Sequence, residues 1–145
     1  MLSISQKLLD DMLNHCKGDY PYEACGLIAG VNCKAIKVYP MKNISDTKET
    51  CYKIDPQEQL KVFKEIREQN YELLAIYHSH INTKAYPSIK DISLAFYEEA
   101  SYIIISLKNR EVLDIQSFKI KETNITKEEL NIIEGGANDW YKDLS

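Results

Sequence analysis

Apolar residues recur at helical spacing at the start of the chain, where Leu2, Ile4, Leu8, Leu9, Met12 and Leu13 precede Gly18. This period predicts a first helix over 3–17, closed by a turn at Tyr20-Pro21. Positions 25–31 are mostly apolar and 35–39 alternate, so with Gly30 and Asn32 between them they predict a hairpin. A third strand is expected over 50–54. Asp55-Pro56-Gln57-Glu58 reads as a helix start: a capping carboxylate, proline at the first helical position and glutamate at the third. Leu60, Phe63 and Ile66 then form the inward face of a second helix.

Positions 73–77 have the continuous apolar character of a buried strand, and it ends in His78-Ser79-His80. A polar loop leads to Pro87, and a third helix is expected over 88–100. Further strands are predicted over 102–107 and 112–120, joined through Lys108-Asn109-Arg110, with 126–133 a last helix or strand. Helices alternate with strands in the middle of the chain and hairpins flank them. This order predicts an α/β fold with a mixed sheet covered by helices.

The 145 residues suffice for one domain with a real core. Apolar residues at 44% and charged residues at 28% exclude a disordered chain. No apolar run approaches the ~18 residues that cross a bilayer, and no secretory leader opens the chain, so a cytoplasmic protein without membrane contact is expected. A net charge of -4 without basic runs argues against a nucleic-acid partner. Cys16, Cys25, Cys33 and Cys51 form no C-x-x-C pair, and reduced, mostly buried thiols are expected.

Residues two apart on a strand share a face, so His78 and His80 can aim their imidazoles at one point while Ser79 turns away. Asp91, in the first turn of the third helix, can reach the same strand end. Two imidazoles and a carboxylate suit zinc with one open position, the arrangement of a catalytic rather than a structural site. Each fragment alone also has a plainer explanation. A His-x-His pair is commonly structural, Ser88-Ile89-Lys90-Asp91 also reads as a capping box, and an isolated Glu23 would be a solvated carboxylate. H-E-x-x-H and the deaminase pattern H-x-E with P-C-x-x-C are both missing from the sequence.

The conjunction of His78-Ser79-His80, seven residues, Ser88, two residues and Asp91, preceded by Tyr22-Glu23-Ala24-Cys25-Gly26-Leu27-Ile28, resembles the JAMM (MPN-plus) zinc metallopeptidases. The resemblance extends over most of the chain, to the small free-standing bacterial members that act on sulfur-carrier proteins. It implies a JAMM/MPN, cytidine-deaminase-like fold over 1–134; the 135–145 tail matches nothing in the family, and its Trp140-Tyr141 is expected to pack on the domain rather than on a second subunit. It further implies one Zn2+ held by His78, His80 and Asp91, Glu23 as the general base and Ser88 as a donor to the oxyanion.

The substrate implied is a ubiquitin-like sulfur-carrier protein ending in Gly-Gly, from which cysteine or a related thiol amino acid is released, as in cysteine biosynthesis. Tyr20, Tyr22, Tyr52 and Tyr86 are candidates to line the path of such a tail, although packing is the commoner use of tyrosine. Ile81 departs from the proline frequent after the second histidine, which puts the following loop in question. Other readings are the same chemistry on another small peptide, such as a cell-wall peptide, and a non-catalytic scaffold. A homodimer and a metal other than zinc are left open, and His15 is given no role.

Overall fold

The computed structural model describes residues 1–134; the 135–145 tail, with Trp140 and Tyr141, lies outside the described residues. The elements follow the order β1 Leu2–Ser5, α1 Gln6–Asp19, β2 Cys25–Val31, β3 Lys34–Met41, α2 Pro56–Glu68, β4 Glu72–His80, α3 Ile89–Ser93, β5 Ser101–Ser106, β6 Asp114–Lys121, β7 Asn124–Glu128 and β8 Leu130–Ile133. The strands form one sheet in the order β7-β6-β5-β4-β2-β3-β1-β8. β4 and β5 run parallel, as do β1 with β3 and with β8, while the remaining pairs are antiparallel. The mixed α/β sheet predicted from the element order is therefore present. No helix among the described residues is long and apolar enough to cross a membrane.

Strand periodicity sorts the core onto two faces. Odd positions of β4 and β5, namely Ala75, Tyr77, Ile103 and Ile105, pack with Leu8, Leu9, Met12 and Cys16 of α1. The even positions Ile76, Tyr102 and Ile104 pack with Ile66 of α2 and with Leu27 and Tyr39. Both faces of these central strands are covered, which is why 103–105 is an unbroken run of isoleucine rather than an alternation. Each isoleucine is fully buried, worth roughly 2–3 kcal/mol apiece against exposure.

Four local expectations are corrected. Residues 2–5 form a strand ahead of α1: Leu2 and Ile4 also satisfy the period of two, and Ser5 caps the helix by accepting from the Leu8 N–H at 3.2 Å. Residues 50–54 form no strand ladder, only a single bridge between Asn43 and Ile54. The third helix stops at Ser93 instead of near 100: the Ala95 and Phe96 N–H groups turn to the nearer Ile92 and Leu94 carbonyls at 3.2 and 3.1 Å, and the Tyr97 N–H beyond them is taken by the Tyr102 hydroxyl at 3.0 Å. Leu60 is exposed while Val62, Phe63 and Ile66 face the sheet; at ~100° per residue, three positions fall ~60° short of a full turn, so Leu60 lies ~120° from Ile66.

Glycine is required at two points of β2, and a Cβ on Gly30 would lie 1.9 Å from the Lys34 carbonyl oxygen. A Cβ on Gly26 would lie 2.3 Å from the Tyr77 ring of the neighbouring strand, so the ring crosses β2 only because that position has no side chain. The β2–β3 turn carries Asn32 and Cys33 with φ of 53° and 62°, the left-handed pair a two-residue hairpin demands.

Candidate metal centre

β4 delivers His78 and His80 to the α2 face by the same alternation that places Ile76 there. Their Nε2 atoms stand 3.1 Å apart. Asp91 comes from α3, where a reciprocal capping box fixes it: the Asp91 N–H donates to Ser88 Oγ at 3.1 Å, and the Ser88 N–H donates to Asp91 Oδ2 at 2.8 Å. Asp91 Oδ1 lies 3.1 Å from His78 Nε2, and Oδ2 lies 3.0 Å from His80 Nε2. All three residues are buried, and their donor atoms lie within 4.8 Å of one another.

Hydrogen-bond chemistry shows what these atoms require. His80 Nδ1–H donates to the Lys84 carbonyl at 2.8 Å, so in the neutral ring Nε2 is a bare lone pair aimed at a carboxylate oxygen. Lone pair against lone pair calls for a cation. Burial works against charge on His80, but its bonds to Asp91 and to the Lys84 carbonyl raise its pKa. Burial holds His78 below its usual value, toward the neutral form. Asp91 is held well below the carboxylate range: burial opposes this, but hydrogen bonds from both histidines prevail. A zinc ion with ligands at ~2.0–2.1 Å has tetrahedral edges of ~3.3 Å, close to the observed spacings, and takes two imidazoles and a carboxylate with one position to spare. The donor set fits zinc.

Glu23 lies just before β2 and is 5% exposed. Its main chain is held from both sides, with its N–H donating to the Lys48 carbonyl at 2.7 Å and its carbonyl accepting from Asn43 Nδ2 at 2.8 Å. Burial pushes its carboxyl up to about 8; His80 opposes this shift and Asp91 adds to it. The register that sets Cys25 opposite His78 places Glu23 at the same end of the sheet, where its carboxyl feels the charges of His80 and Asp91. Ser88 is exposed and accepts a bond through its oxygen, which leaves its O–H able to donate.

A cleft of about 570 Å³ opens beside the centre. Leu27, Ile44, Ile54, Ile76, Leu94, Phe96 and Tyr102 supply apolar walls, with Lys53, Asp46 and Lys90 among the polar ones. None of His78, His80, Asp91 and Glu23 lines it; Tyr52 does, and the same ring stacks on His78 with centroids 4.5 Å apart. Of the other tyrosines expected along a substrate path, Tyr20 lies beneath the Arg110 guanidinium, Tyr86 meets Phe118 edge to face, and Tyr22 is half-exposed. Ile81 is buried against the α1 side of the core.

Sequence reasoning missed three supports. The Lys84 carbonyl is a main-chain group that any residue could supply. Asn43 sits in a polar stretch without a pattern. His15, left without a role, bonds the Tyr77 hydroxyl at 2.6 Å and Asp19 at 3.2 Å. The cysteines are all free; Cys16 and Cys25 are buried, but Cys33 is exposed and Cys51 intermediate, so burial is not general to them. Burial pushes the Cys16 and Cys25 thiols up to about 12, which keeps them protonated and inert.

Comparison with known proteins places the chain in a family. The family described as prokaryotic homologs of the JAB domain matches residues 5–121. The CysO-cysteine peptidase of Mycobacterium tuberculosis is 34% identical over 136 residues, covering 92% of this chain and 92% of the relative. The desampylase of Haloferax volcanii is 28% identical over 115 residues, 75% of this chain and 83% of that protein. The solution structure of a protein from Desulfitobacterium hafniense superposes with a TM-score of 0.84 at 34% identity, covering 94% of this chain and 95% of that one.

Proposed function

The chain belongs to the prokaryotic homologs of the JAB domain and is a peptidase, and from that premise we propose that it is a zinc peptidase acting on a ubiquitin-like sulfur-carrier protein. The bond cut is the amide after a C-terminal Gly-Gly, and the leaving group is cysteine or a related thiol amino acid. The observation that carries this reading is the convergence of His78, His80 and Asp91 on one point, with a buried carboxyl from Glu23 beside it. The relatives' names, a CysO-cysteine peptidase and a desampylase, support the substrate class.

His78, His80 and Asp91 hold the metal, one ion per chain. Bound there, zinc supplies Lewis acidity, polarising a carbonyl and bringing the pKa of water to ~7. Glu23 takes a proton from the attacking water and passes it to the departing amine. Ser88 donates its O–H to the oxygen of the scissile carbonyl as charge gathers there. Water thus adds to the carbonyl carbon, the C–N bond breaks, and the products are a Gly-Gly carboxylate and a free amino acid. The apolar cleft alongside gives an extended tail a place to lie, with Tyr52 between it and His78.

The test is to incubate the zinc-loaded protein with a Gly-Gly-ended carrier extended by cysteine or homocysteine and to follow the carrier's mass. Loss of the terminal amino acid, stopped by a chelator and restored by zinc, is expected. Carriers of unchanged mass with every extension would rule out this substrate and turn attention to other small peptides.

A further inference from the structure

Three of the groups in the metal centre have a visible device that orients them. His80 is pinned through Nδ1 by the Lys84 carbonyl. Asp91 is pinned by the Ser88 N–H and the first turn of α3. Glu23 has its main chain clamped by Lys48 and Asn43. His78 differs from all of them. It is 1% exposed, and its Nδ1 has no hydrogen-bond partner among the described residues. A ligand histidine ordinarily donates from its second nitrogen to a carboxylate or carbonyl, which fixes both tautomer and ring plane. Here that hold is missing, yet the ring must present Nε2 at a single point.

Beyond the Nε2 contacts with Asp91 and His80, the contact that remains is aromatic. The Tyr52 ring lies nearly parallel to His78, with an interplanar angle of 25°, and Tyr52 is itself buried. We infer that Tyr52 is a positioning residue for the metal centre: its ring sets the plane of His78 where a hydrogen bond would otherwise do so, and Asn43 ties Tyr52 and Glu23 into one unit.

Asn43 has the geometry for this. Its Nδ2 donates to the Glu23 carbonyl at 2.8 Å and to the Cys51 carbonyl at 3.0 Å, and its Oδ1 accepts from the Lys53 N–H at 3.0 Å. Cys51 and Lys53 are the two residues flanking Tyr52. Oδ1 also accepts from the Ser45 N–H at 3.0 Å, so both donor hydrogens and both acceptor positions of the amide are used. One buried side chain therefore joins the main chain beside the stacking ring to the main chain of the proposed base. The segment between β3 and α2 forms no sheet ladder; this amide holds its shape together with the single Asn43–Ile54 bridge and the Ile44 N–H bond to the Lys53 carbonyl at 2.8 Å. Because Tyr52 also lines the apolar cleft, whatever fills that cleft presses on the ring that orients a zinc ligand.

This inference rests on the zinc reading above, and its test needs no substrate. Zinc affinity is measured by chelator competition on the full chain and on Tyr52→Phe and Tyr52→Leu, with the visible spectrum of the cobalt-substituted proteins recorded beside it. Tyr52→Phe keeps the planar ring and should match the wild type in both. Tyr52→Leu, or Tyr52→Met where leucine folds poorly, should bind zinc on the order of 10-fold more weakly and shift the cobalt bands. Phe63→Leu, a core change on α2 away from the ligands, should lower stability and leave both readouts unmoved. Unchanged affinity and spectrum in folded Tyr52→Leu and Tyr52→Met would overturn the inference, as would an equal loss in Phe63→Leu. A carrier that goes uncleaved would sink only the substrate reading, whereas a folded wild-type chain without zinc affinity would sink the metal reading and this inference together.

Discussion

The two faces of β4 solve the same problem in opposite ways. On the α1 side, Tyr77 and Ser79 bring polar atoms into a buried layer, and each finds a protein partner. The Tyr77 hydroxyl bonds His15 Nδ1, whose Nε2–H points to Asp19, and Ser79 Oγ accepts from the Ala24 N–H at 2.8 Å. On the α2 side, His78 and His80 bring polar atoms to equal depth, but what they meet is each other and a carboxylate. The first set is satisfied by the fold alone. The second is a concentration of acceptors of the kind that could hold a cation. Residues one apart in sequence thus divide into structure and chemistry: on one side every polar atom meets a complementary protein group, on the other the two Nε2 atoms face each other and a carboxylate.

The comparison breaks most visibly if the α2-side carboxylate is removed. Asp91→Ala should lose zinc and cleavage together while the chain still folds, read by metal analysis and circular dichroism. Zinc retained at wild-type affinity would mean that the crowded acceptors are not the ligand set. Next in size, Glu23→Gln should keep zinc and lose ~10²-fold to 10⁴-fold in cleavage rate, measured as turnover at equal metal content.

Glu23 also predicts a pH dependence in the metal-free protein. Its carboxyl has a pKa of about 8 when folded, against 4.5 for the free group, so between those values the folded state holds a proton that the unfolded state has released. Stability from this group is complete below 4.5 and is lost as pH rises through about 8. Glu23→Gln does not titrate there. Urea unfolding of the metal-free proteins should therefore show the variant gaining on wild type across this window by on the order of 5 kcal/mol. A constant difference from pH 4 to 9 would contradict it.

The smallest effect sharpens the other side. Tyr77→Phe removes the bond to His15 and should cost about 1 kcal/mol in unfolding free energy, with zinc affinity unchanged. A loss of affinity would show that the two faces are coupled through β4 rather than separate.

Local pattern in the sequence determined a good deal of this protein. Period-two alternation puts His78 and His80 on one face wherever that strand lies, and Ser88 with Asp91 spells a capped first turn without knowledge of the surroundings. The hairpin of β2 and β3 and the capped start of α2 are similarly local, since a turn or a cap involves only a few adjacent residues. The length of α3 was not legible, because its end is a change of main-chain partners at Ala95 and Phe96, and the segment beyond bonds Tyr102 on the next strand. The strand at 2–5 was hidden by apolar positions that suit two periods. The site as a whole also required tertiary structure. Glu23 reaches the histidines' end of the sheet through the pairing of Cys25 with His78 across two strands distant in sequence, and Tyr52 reaches His78 through an amide whose partners are main-chain atoms. Main-chain groups are the same in every residue, so the sequence carries no sign of which ones will be used; packing of the whole sheet decides that.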